Sequence, residues 1–281
     1  MNIFITGHKG LIGTSLEKRL IKEGHQIVGK IDLRENNEDI VNINKIKKPT
    51  EKIDLLIHAA AHCKINESIT NPEKTFHSDV LGTYEVFEFA KKNNIPKVIY
   101  FSSSRVLSPE KNPYTAAKLY GENLCKAYKD SYDMDYLIVR PSTVYGPFWD
   151  KTKRLMHIFI TNALENKPLE IYGDPKTKTL DFTYVRDFVD AAILAINGPA
   201  NKEYNISGGE EYLVYDLAKE IIKKTNSKSE IIIKPAETAQ PQKVNCDISE
   251  IKKLGYAPKI PLSEGVDECI RFYKDYLENK R

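Results

Sequence analysis

A single helix-forming stretch places a phenol and an ammonium one helical turn apart. Tyr114 stands four residues before Lys118 in "NPYTAAKLYGE", shortly after the serine run "FSSS". Residues at i and i+4 share one face of a helix, so the Lys118 ammonium can lie close to the Tyr114 oxygen. A free phenol titrates at about pH 10, and a nearby positive charge favours its ionised form. The pair could therefore supply a base that works nearer neutral pH, although this spacing also occurs by chance in helices.

A glycine-rich loop opens the chain. Gly7, Gly10 and Gly13 lie in "FITGHKGLIGTSL", between a predicted strand and a predicted helix. Small residues let the backbone approach a pyrophosphate, and the helix N-terminus offers it free N–H groups. Gly13 would also let helix and strand pack closely. The loop predicts a dinucleotide site, and a tight turn without a ligand is the alternative.

An acidic residue follows the second predicted strand at the spacing that a dinucleotide site requires. Asp32 lies about twenty residues beyond the glycines, where a carboxylate would hold a ribose diol. This carboxylate favours NAD, because it would repel a 2′-phosphate. Lys30 and Arg34 flank Asp32 and could instead bind that phosphate, so NADP stays open.

The elements that must position these residues alternate between strand and helix. Near-continuous apolar runs such as "NIFIT", "DLLIHAAA" and "KVIYFSSS" suit strands of a sheet covered on both faces. Amphipathic stretches between them predict helices, and the alternation predicts an α/β fold with a doubly wound parallel sheet. After Gly146 the pattern loosens into a smaller mixed α/β lobe. We expect the cofactor domain to comprise residues 1–150 plus about 180–207, and the substrate lobe residues 151–179 and 208–281.

Composition narrows the class of protein. The 281 residues carry a net charge of only +3, with no block of consecutive basic residues, so we expect no nucleic-acid partner. No apolar run approaches bilayer-spanning length, and the N-terminus enters a strand pattern at once, without a secretory signal. The four cysteines and six histidines show no ligand spacing, so we expect free thiols, no metal site and a cytoplasmic location.

Several motifs, in order, resemble one enzyme family. "TGHKGLIG", "HAAA", "FSSS", "PYTAAK" and "RPSTVYGP" are similar to the extended short-chain dehydrogenase/reductases, specifically the NAD-dependent epimerase/dehydratase family acting on nucleotide sugars. "YNISGGE" and "LGYAPKIPLSEGV" extend the resemblance almost to the C-terminus. The resemblance implies a Rossmann-type domain that holds NAD(P), a smaller lobe over the sugar nucleotide, and a homodimer formed through a four-helix bundle.

The resemblance also implies roles for individual residues. Tyr114 is the acid/base, Lys118 assists it and bonds the nicotinamide ribose, and a serine of "FSSS" bonds the reacting oxygen. Counting back from Val106 favours Ser103 as that serine, and counting forward along the strand favours Ser104. The cofactor-binding positions are Gly7, Gly10, Leu11, Ile12, Gly13, Asp32, Asp39, Ile40, Ala59, Ala60, Ala61, Lys118 and Pro141.

Several positions that bind the substrate in the family carry other residues in this chain. Thr143 replaces an asparagine, Leu180 replaces an arginine, and Cys63 stands where 4-epimerases keep a lysine. The loop between "FSSS" and Tyr114 is short. Arg186 and Lys243 are candidate replacements for the missing phosphate ligands.

The resemblance to the family also favours some reactions over others. A 4,6-dehydratase carries an Asp-Glu pair where this chain has Ser104 and Arg105, which disfavours dehydration. A nucleotide-sugar 4-epimerase is the preferred prediction. An NAD(P)H-dependent reductase of nucleotide-4-keto-6-deoxysugars is the alternative, and a non-catalytic dinucleotide-binding protein is a remote one.

Overall fold

A six-stranded parallel sheet forms the centre of the molecule. The computed structural model describes residues 1–35, 38–240, 243 and 246–280. The strand order is β2-β1-β3-β4-β5-β9, and every neighbouring pair is parallel. Its strands are β1 (Asn2–Thr6), β2 (Gln26–Ile31), β3 (Leu55–His58), β4 (Lys97–Phe101), β5 (Asp135–Pro141) and β9 (Lys202–Ile206).

Helices connect these strands and cover both faces of the sheet. The helices of the described residues are α1 (Leu11–Lys22), α2 (Ile65–Thr70), α3 (Pro72–Thr75), α4 (Gly82–Lys92), α5 (Pro113–Tyr132), α6 (Leu155–Leu164), α7 (Val185–Asn197), α8 (Val214–Thr225), α9 (Ser249–Lys252) and α10 (Leu262–Glu278). Of these, α6, α8 and α10 pack against one another and the small sheets rather than on the central sheet. A wider π turn, Phe76–Leu81, joins α3 to α4, and short 3-10 helices occupy Ile40–Lys45 and Ser104–Leu107. None of the helices in these described ranges combines the length and apolar character needed to cross a membrane.

The two faces of the sheet build two separate apolar clusters. Ile3 and Ile5 of β1 pack into a cluster with α1 and α7, whereas Phe4 packs into another with α4. Successive strand side chains point to opposite faces, so a sheet covered on both sides needs apolar residues at nearly every position. This confirms the predicted doubly wound, Rossmann-type α/β fold.

The winding direction reverses between β1 and β3, which are neighbours in the sheet. In open α/β sheets a crevice forms outside the carboxyl ends of the strands at such a reversal. The glycine-rich loop follows β1 at this crevice. The segments that follow β3, β4 and β5 begin at the same edge of the sheet.

Two small sheets lie outside the central one. The first has the order β10-β8-β6, with β6 (Thr143–Tyr145), β8 (Thr179–Tyr184) and β10 (Glu211–Leu213). The second pairs β11 (Ile231–Lys234) with β7 (Leu169–Tyr172) in parallel. Of these strands, the apolar run "LEIYG" predicts only β7.

Candidate active site

A cavity of about 800 Å³ opens at the carboxyl edge of the central sheet. Its lining begins near the glycine loop at Ile12 and continues past the ends of β3, β4 and β5. It brings together seven of the predicted site residues: Ile12, Ala59, Ala61, Ser103, Tyr114, Lys118 and Pro141. A cavity of this size fits a ligand of cofactor or substrate dimensions.

Tyr114 lies in the first turn of α5, which is fixed by an N-terminal capping box. The Asn112 side chain accepts a hydrogen bond from Thr115 N, and the Thr115 hydroxyl accepts one from Asn112 N, both at 3.0 Å. Pro113 occupies the first helical position, where its missing N–H costs nothing. The backbone N–H of Tyr114 donates to Ser68 Oγ at 3.3 Å. The backbone that carries the phenol is therefore held by local sequence and by α2.

Lys118 lies one turn further along α5 and is buried. Its ammonium donates to Phe101 O at 3.0 Å, and lies 5.9 Å from the centre of the Tyr114 ring. The helix approaches the sheet closely because Gly121 has no side chain, and a Cβ there would lie 2.2 Å from the Tyr100 ring. The predicted juxtaposition of the Tyr114 and Lys118 side chains is present.

The pKa of Tyr114 differs from the sequence-based expectation. Burial, followed by the neighbouring Cys63 thiol, raises the pKa of the phenol well above its usual range, while a hydrogen bond with Ser103 acts in the opposite direction. The Lys118 ammonium points to a backbone carbonyl of β4 rather than to the phenol oxygen. Among protein groups, desolvation therefore outweighs the lowering that the Tyr-Lys spacing predicts.

The two candidate serines occupy different environments. The Ser103 hydroxyl is hydrogen-bonded to the Tyr114 phenol and accepts a further bond from Arg105 N at 3.2 Å. Ser104 is buried beside an adjoining, much smaller pocket that Asp181 and Cys246 also line. Of the two candidates, Ser103 lines the large cavity with Tyr114 and Ser104 does not.

A buried ion pair supports the strand end that carries these serines. Glu122 of α5 accepts hydrogen bonds from Ser102 Oγ at 2.5 Å and from Arg140 Nε at 2.6 Å. Arg140 also binds Glu203 of β9 at 2.6 Å. The network ties α5 to the ends of β4, β5 and β9, so the walls of the cavity keep their relative positions.

The glycine loop meets the geometric needs of a dinucleotide. Gly7 has φ +76°, and a Cβ there would lie 2.5 Å from Ala60 N. A Cβ on Gly13 would lie 2.2 Å from Gly7 O. Gly10 directly precedes α1, whose first residue, Leu11, is buried in the core. Strand, loop and helix N-terminus are thus packed as closely as pyrophosphate binding requires.

Asp32 is buried at the end of β2 and already has four donors. Lys9 N and Arg34 N each donate at 2.9 Å, and the Arg34 guanidinium contributes Nε at 3.0 Å and Nη2 at 3.2 Å. Burial pushes the pKa of Asp32 upward, but the hydrogen bonds outweigh it and hold the pKa below its usual range. Since a carboxylate offers about four lone-pair sites, a ribose diol would bind by replacing the guanidinium. Lys30, the other cationic residue near Asp32 in the sequence, forms an ion pair with Glu17 of α1 at 3.1 Å.

Three further predicted cofactor positions have partners within the protein. Asp39 accepts a hydrogen bond from Val41 N at 3.1 Å and lies 3.1 Å from the His77 ring. Ile40 is buried in the core. Ala60 N donates to Thr6 Oγ1 at 3.2 Å. Their contact with a cofactor stays a prediction.

A histidine behind the cofactor edge is held neutral. The His58 ring contacts Thr6 Oγ1 at 2.8 Å and Thr83 Oγ1 at 3.1 Å. Burial, assisted by the Lys118 charge, lowers the pKa of His58 to about 3. These contacts and the neutral ring indicate a structural role for His58.

The far wall of the cavity is formed by residues that depart from the family pattern or were not predicted. Cys63, Thr143 and Leu180 all line it. Arg154 and Lys178, two cationic residues that no motif predicted, line it as well. Arg154 follows Asp150 by four residues in "DKTKR", and their ion pair, at 2.7 Å, has a spacing that could have been noticed.

The two proposed replacement phosphate ligands lie elsewhere. Arg186 binds Glu268 of α10 and is mostly exposed. Lys243 pairs with Glu211 at 3.2 Å. Neither is among the described residues that line the cavity, so their contact with the substrate phosphates stays a prediction.

Comparisons with known proteins agree with this geometry. A putative UDP-glucose 4-epimerase of Methanocaldococcus jannaschii is 29% identical over 97% of this chain and 98% of its own length. A dTDP-glucose 4,6-dehydratase of Salmonella typhimurium is 27% identical over 97% of this chain and 92% of its own. A Thermus thermophilus UDP-glucose 4-epimerase, solved in complex with NAD, has the same fold, with a TM-score of 0.87 at 20% identity over 98% of this chain and 99% of that one.

The sequence model of one family, described as the NAD dependent epimerase/dehydratase family, matches residues 3–207, which is more than half of the chain. The glycine loop, the buried carboxylate after β2 and the cavity beyond them fit the dinucleotide that this family uses. The chain belongs to the NAD dependent epimerase/dehydratase family, and NAD is its cofactor.

Proposed function

We propose that the protein is an NAD-dependent nucleotide-sugar 4-epimerase. The observation that carries the proposal is the meeting of Ser103, Tyr114 and Lys118 in one cavity that continues to Ile12 and Ala59 beside the glycine loop. A hydroxyl, a phenol and an ammonium are then presented where a nicotinamide would lie. The relatives named as UDP-glucose 4-epimerases support this choice.

The proposed roles follow from the contacts of each side chain. Tyr114 takes the proton from the sugar 4-hydroxyl and later returns it, while Ser103, hydrogen-bonded to the same phenol, orients the reacting oxygen. Lys118 holds the nicotinamide ribose and favours the phenolate. Bound NAD supplies a hydride acceptor at the sugar carbon. Since burial raises the pKa of Tyr114, ionisation of the phenol depends on positive charge brought by the bound cofactor.

Dehydration is disfavoured by the residues after Ser103. Loss of water across C5 and C6 needs an acid/base pair beside those carbons. Here Ser104 faces the small pocket, and Arg105 carries a permanent positive charge. Neither side chain can exchange a proton with carbon at neutral pH.

The proposal also covers the domain organisation, the oligomeric state and the cellular location. Residues 1–150 with about 180–207 bind the cofactor, and residues 151–179 and 208–281 bind the sugar nucleotide. A homodimer forms through α4 and α5, where Tyr84 and Tyr132 are exposed. All four cysteines are free thiols, which supports a reducing, cytoplasmic location.

The nucleotide retained on purification tests the proposal. The protein is purified without added cofactor and denatured, and the released dinucleotide is identified by mass spectrometry. We expect stoichiometric NAD, together with inversion at C4 of a nucleotide sugar followed by NMR. A protein that emerges empty and prefers NADPH would contradict the epimerase proposal and support the 4-keto-sugar reductase.

A further inference from the structure

The cavity contains an arginine without an internal partner. Arg105 is half-buried and lines the large cavity. Within the described ranges its guanidinium makes no hydrogen bond or ion pair, although Arg154 is paired with Asp150 and Lys64 with Glu67 in the same cavity. A charge withdrawn from water is costly unless it is paired, so the unpaired guanidinium indicates that its partner is a ligand.

The position of Arg105 restricts which part of the ligand it meets. It follows Ser103 by two residues, and its backbone N–H donates to the Ser103 hydroxyl at 3.2 Å. Its charge is close enough to interact with the Tyr114 phenol. In the proposed reaction the sugar C4 lies at Ser103 and Tyr114. Arg105 would then lie near a substituent on C3 or C5, the two carbons next to C4, and only the C6 group on C5 can be a carboxylate. The diphosphate is attached to C1, on the opposite side of the sugar ring.

A second cationic side chain lines the same cavity as Arg105. Lys178 lines the cavity, and burial together with the nearby Arg105 charge lowers its pKa. Glu237 and Glu110 act on Lys178 in the opposite direction. An anion bound beside Arg105 would also be attracted by the Lys178 charge.

From these contacts we infer that the sugar carries a carboxylate at C6, so that the substrate is a nucleoside diphosphate hexuronate whose carboxylate is bound by Arg105. A guanidinium fork matches a carboxylate with two parallel hydrogen bonds. Lys178 adds a second positive charge. The inference rests on the proposed C4 chemistry, because that chemistry places the ring.

Equilibrium binding to the NAD-containing protein tests the inference without turnover. UDP-glucuronate, UDP-glucose and UDP are titrated calorimetrically into the unmodified protein, Arg105→Leu and Arg105→Lys. Arg271→Leu, the same change at an exposed position of α10 outside the cavity lining, is the control. We expect UDP-glucuronate to bind at least roughly tenfold more tightly than UDP-glucose. Arg105→Leu should weaken UDP-glucuronate roughly ten- to hundredfold and leave UDP-glucose and UDP nearly unchanged.

The other outcomes separate the alternatives. Arg105→Lys should retain part of the preference, because it keeps the charge but not the fork. An equal loss for all three ligands in Arg105→Leu would place the guanidinium at the diphosphate and overturn the inference. So would equal affinity of the unmodified protein for the two sugars. Selective binding of UDP-glucuronate without inversion at C4 would uphold the carboxylate site and contradict the proposed epimerase function. If none of the three compounds binds, both are rejected.

Discussion

The cofactor side and the sugar side of the cavity are built in different ways. On the cofactor side, backbone geometry makes the site: a positive φ at Gly7, close contacts around Gly13, and strand ends that meet at one edge of a sheet. On the sugar side, long side chains from α2, the segment before α6 and the segment before β8 form the wall. The cofactor side follows the family pattern, whereas the sugar side departs from it at Cys63, Thr143 and Leu180.

This difference has a physical reason. A dinucleotide is recognised largely through N–H groups and close approach, which few residue types permit. A sugar is recognised by side-chain groups, and these can be exchanged without disturbing the fold. The following predictions test whether the two sides are as separable as this comparison implies.

The largest effect is expected at the boundary between the two sides. Tyr114→Phe removes only the phenol oxygen and should lower kcat by roughly 10²- to 10⁴-fold, because no other group near Ser103 can take over its proton transfer. NAD content and the melting temperature should change little. Tyr120→Phe, the same change on α5 outside the cavity lining, is the control. Substantial activity in Tyr114→Phe would contradict the assigned role.

On the cofactor side, Gly7→Ala should destabilise the fold by about 2–4 kcal/mol. The new methyl group would combine a strained φ of +76° with a 2.5 Å approach to Ala60 N. Gly24→Ala is a matched control, since its φ is +83° and no atom lies within 4 Å of the new Cβ. That change should cost only about 1 kcal/mol. Urea unfolding measures both, and equal losses would show that the contact with Ala60 has no effect.

On the sugar side, Asp150→Asn should loosen the cavity wall around Arg154 without changing the amount of bound NAD. Asp150 is buried and accepts hydrogen bonds from Thr152 Oγ1 at 2.6 Å and Arg154 Nε at 2.7 Å. Its neutralisation leaves the Arg154 charge unpaired, at a cost of about 1–3 kcal/mol. We expect a higher KM for the sugar nucleotide and unchanged NAD content. Loss of NAD from this variant would show that the two sides are coupled.

The smallest effect is a pH dependence that originates on the cofactor side. His58 titrates at its usual 6.5 in the unfolded chain but at about 3 in the folded protein. Well above pH 6.5 the ring is neutral in both states, and His58 then contributes no pH dependence to stability. Below that value only the unfolded chain gains a proton, so stability should fall from pH 6.5 toward pH 3, by about 1 kcal/mol between pH 7.5 and 5.5. NMR of the imidazole resonances follows the titration directly, and protonation of His58 above pH 5 in the folded protein would contradict it.

Much of the fold was predictable from the sequence because its signals are local. β1, β3 and β4 agree to within a few residues with the predicted runs "NIFIT", "DLLIHAAA" and "KVIYFSSS". Apart from β7, the strands of the small sheets were not predicted, and two of them, β10 and β6, have only three residues each. Such short strands carry too little periodicity to recognise and exist only through their partners.

For the candidate site, the sequence by itself determined the glycine loop and the spacing of Tyr114 and Lys118, because backbone sterics and the helix repeat fix both within one element. Tertiary structure decided what depends on contacts between distant elements. It put Ser103 rather than Ser104 beside the phenol, placed Arg34 on Asp32, and paired Arg154 while leaving Arg105 without an internal partner. It also reversed the expected direction of the Tyr114 pKa shift, since desolvation depends on everything that packs around the ring and not on the residue four positions away.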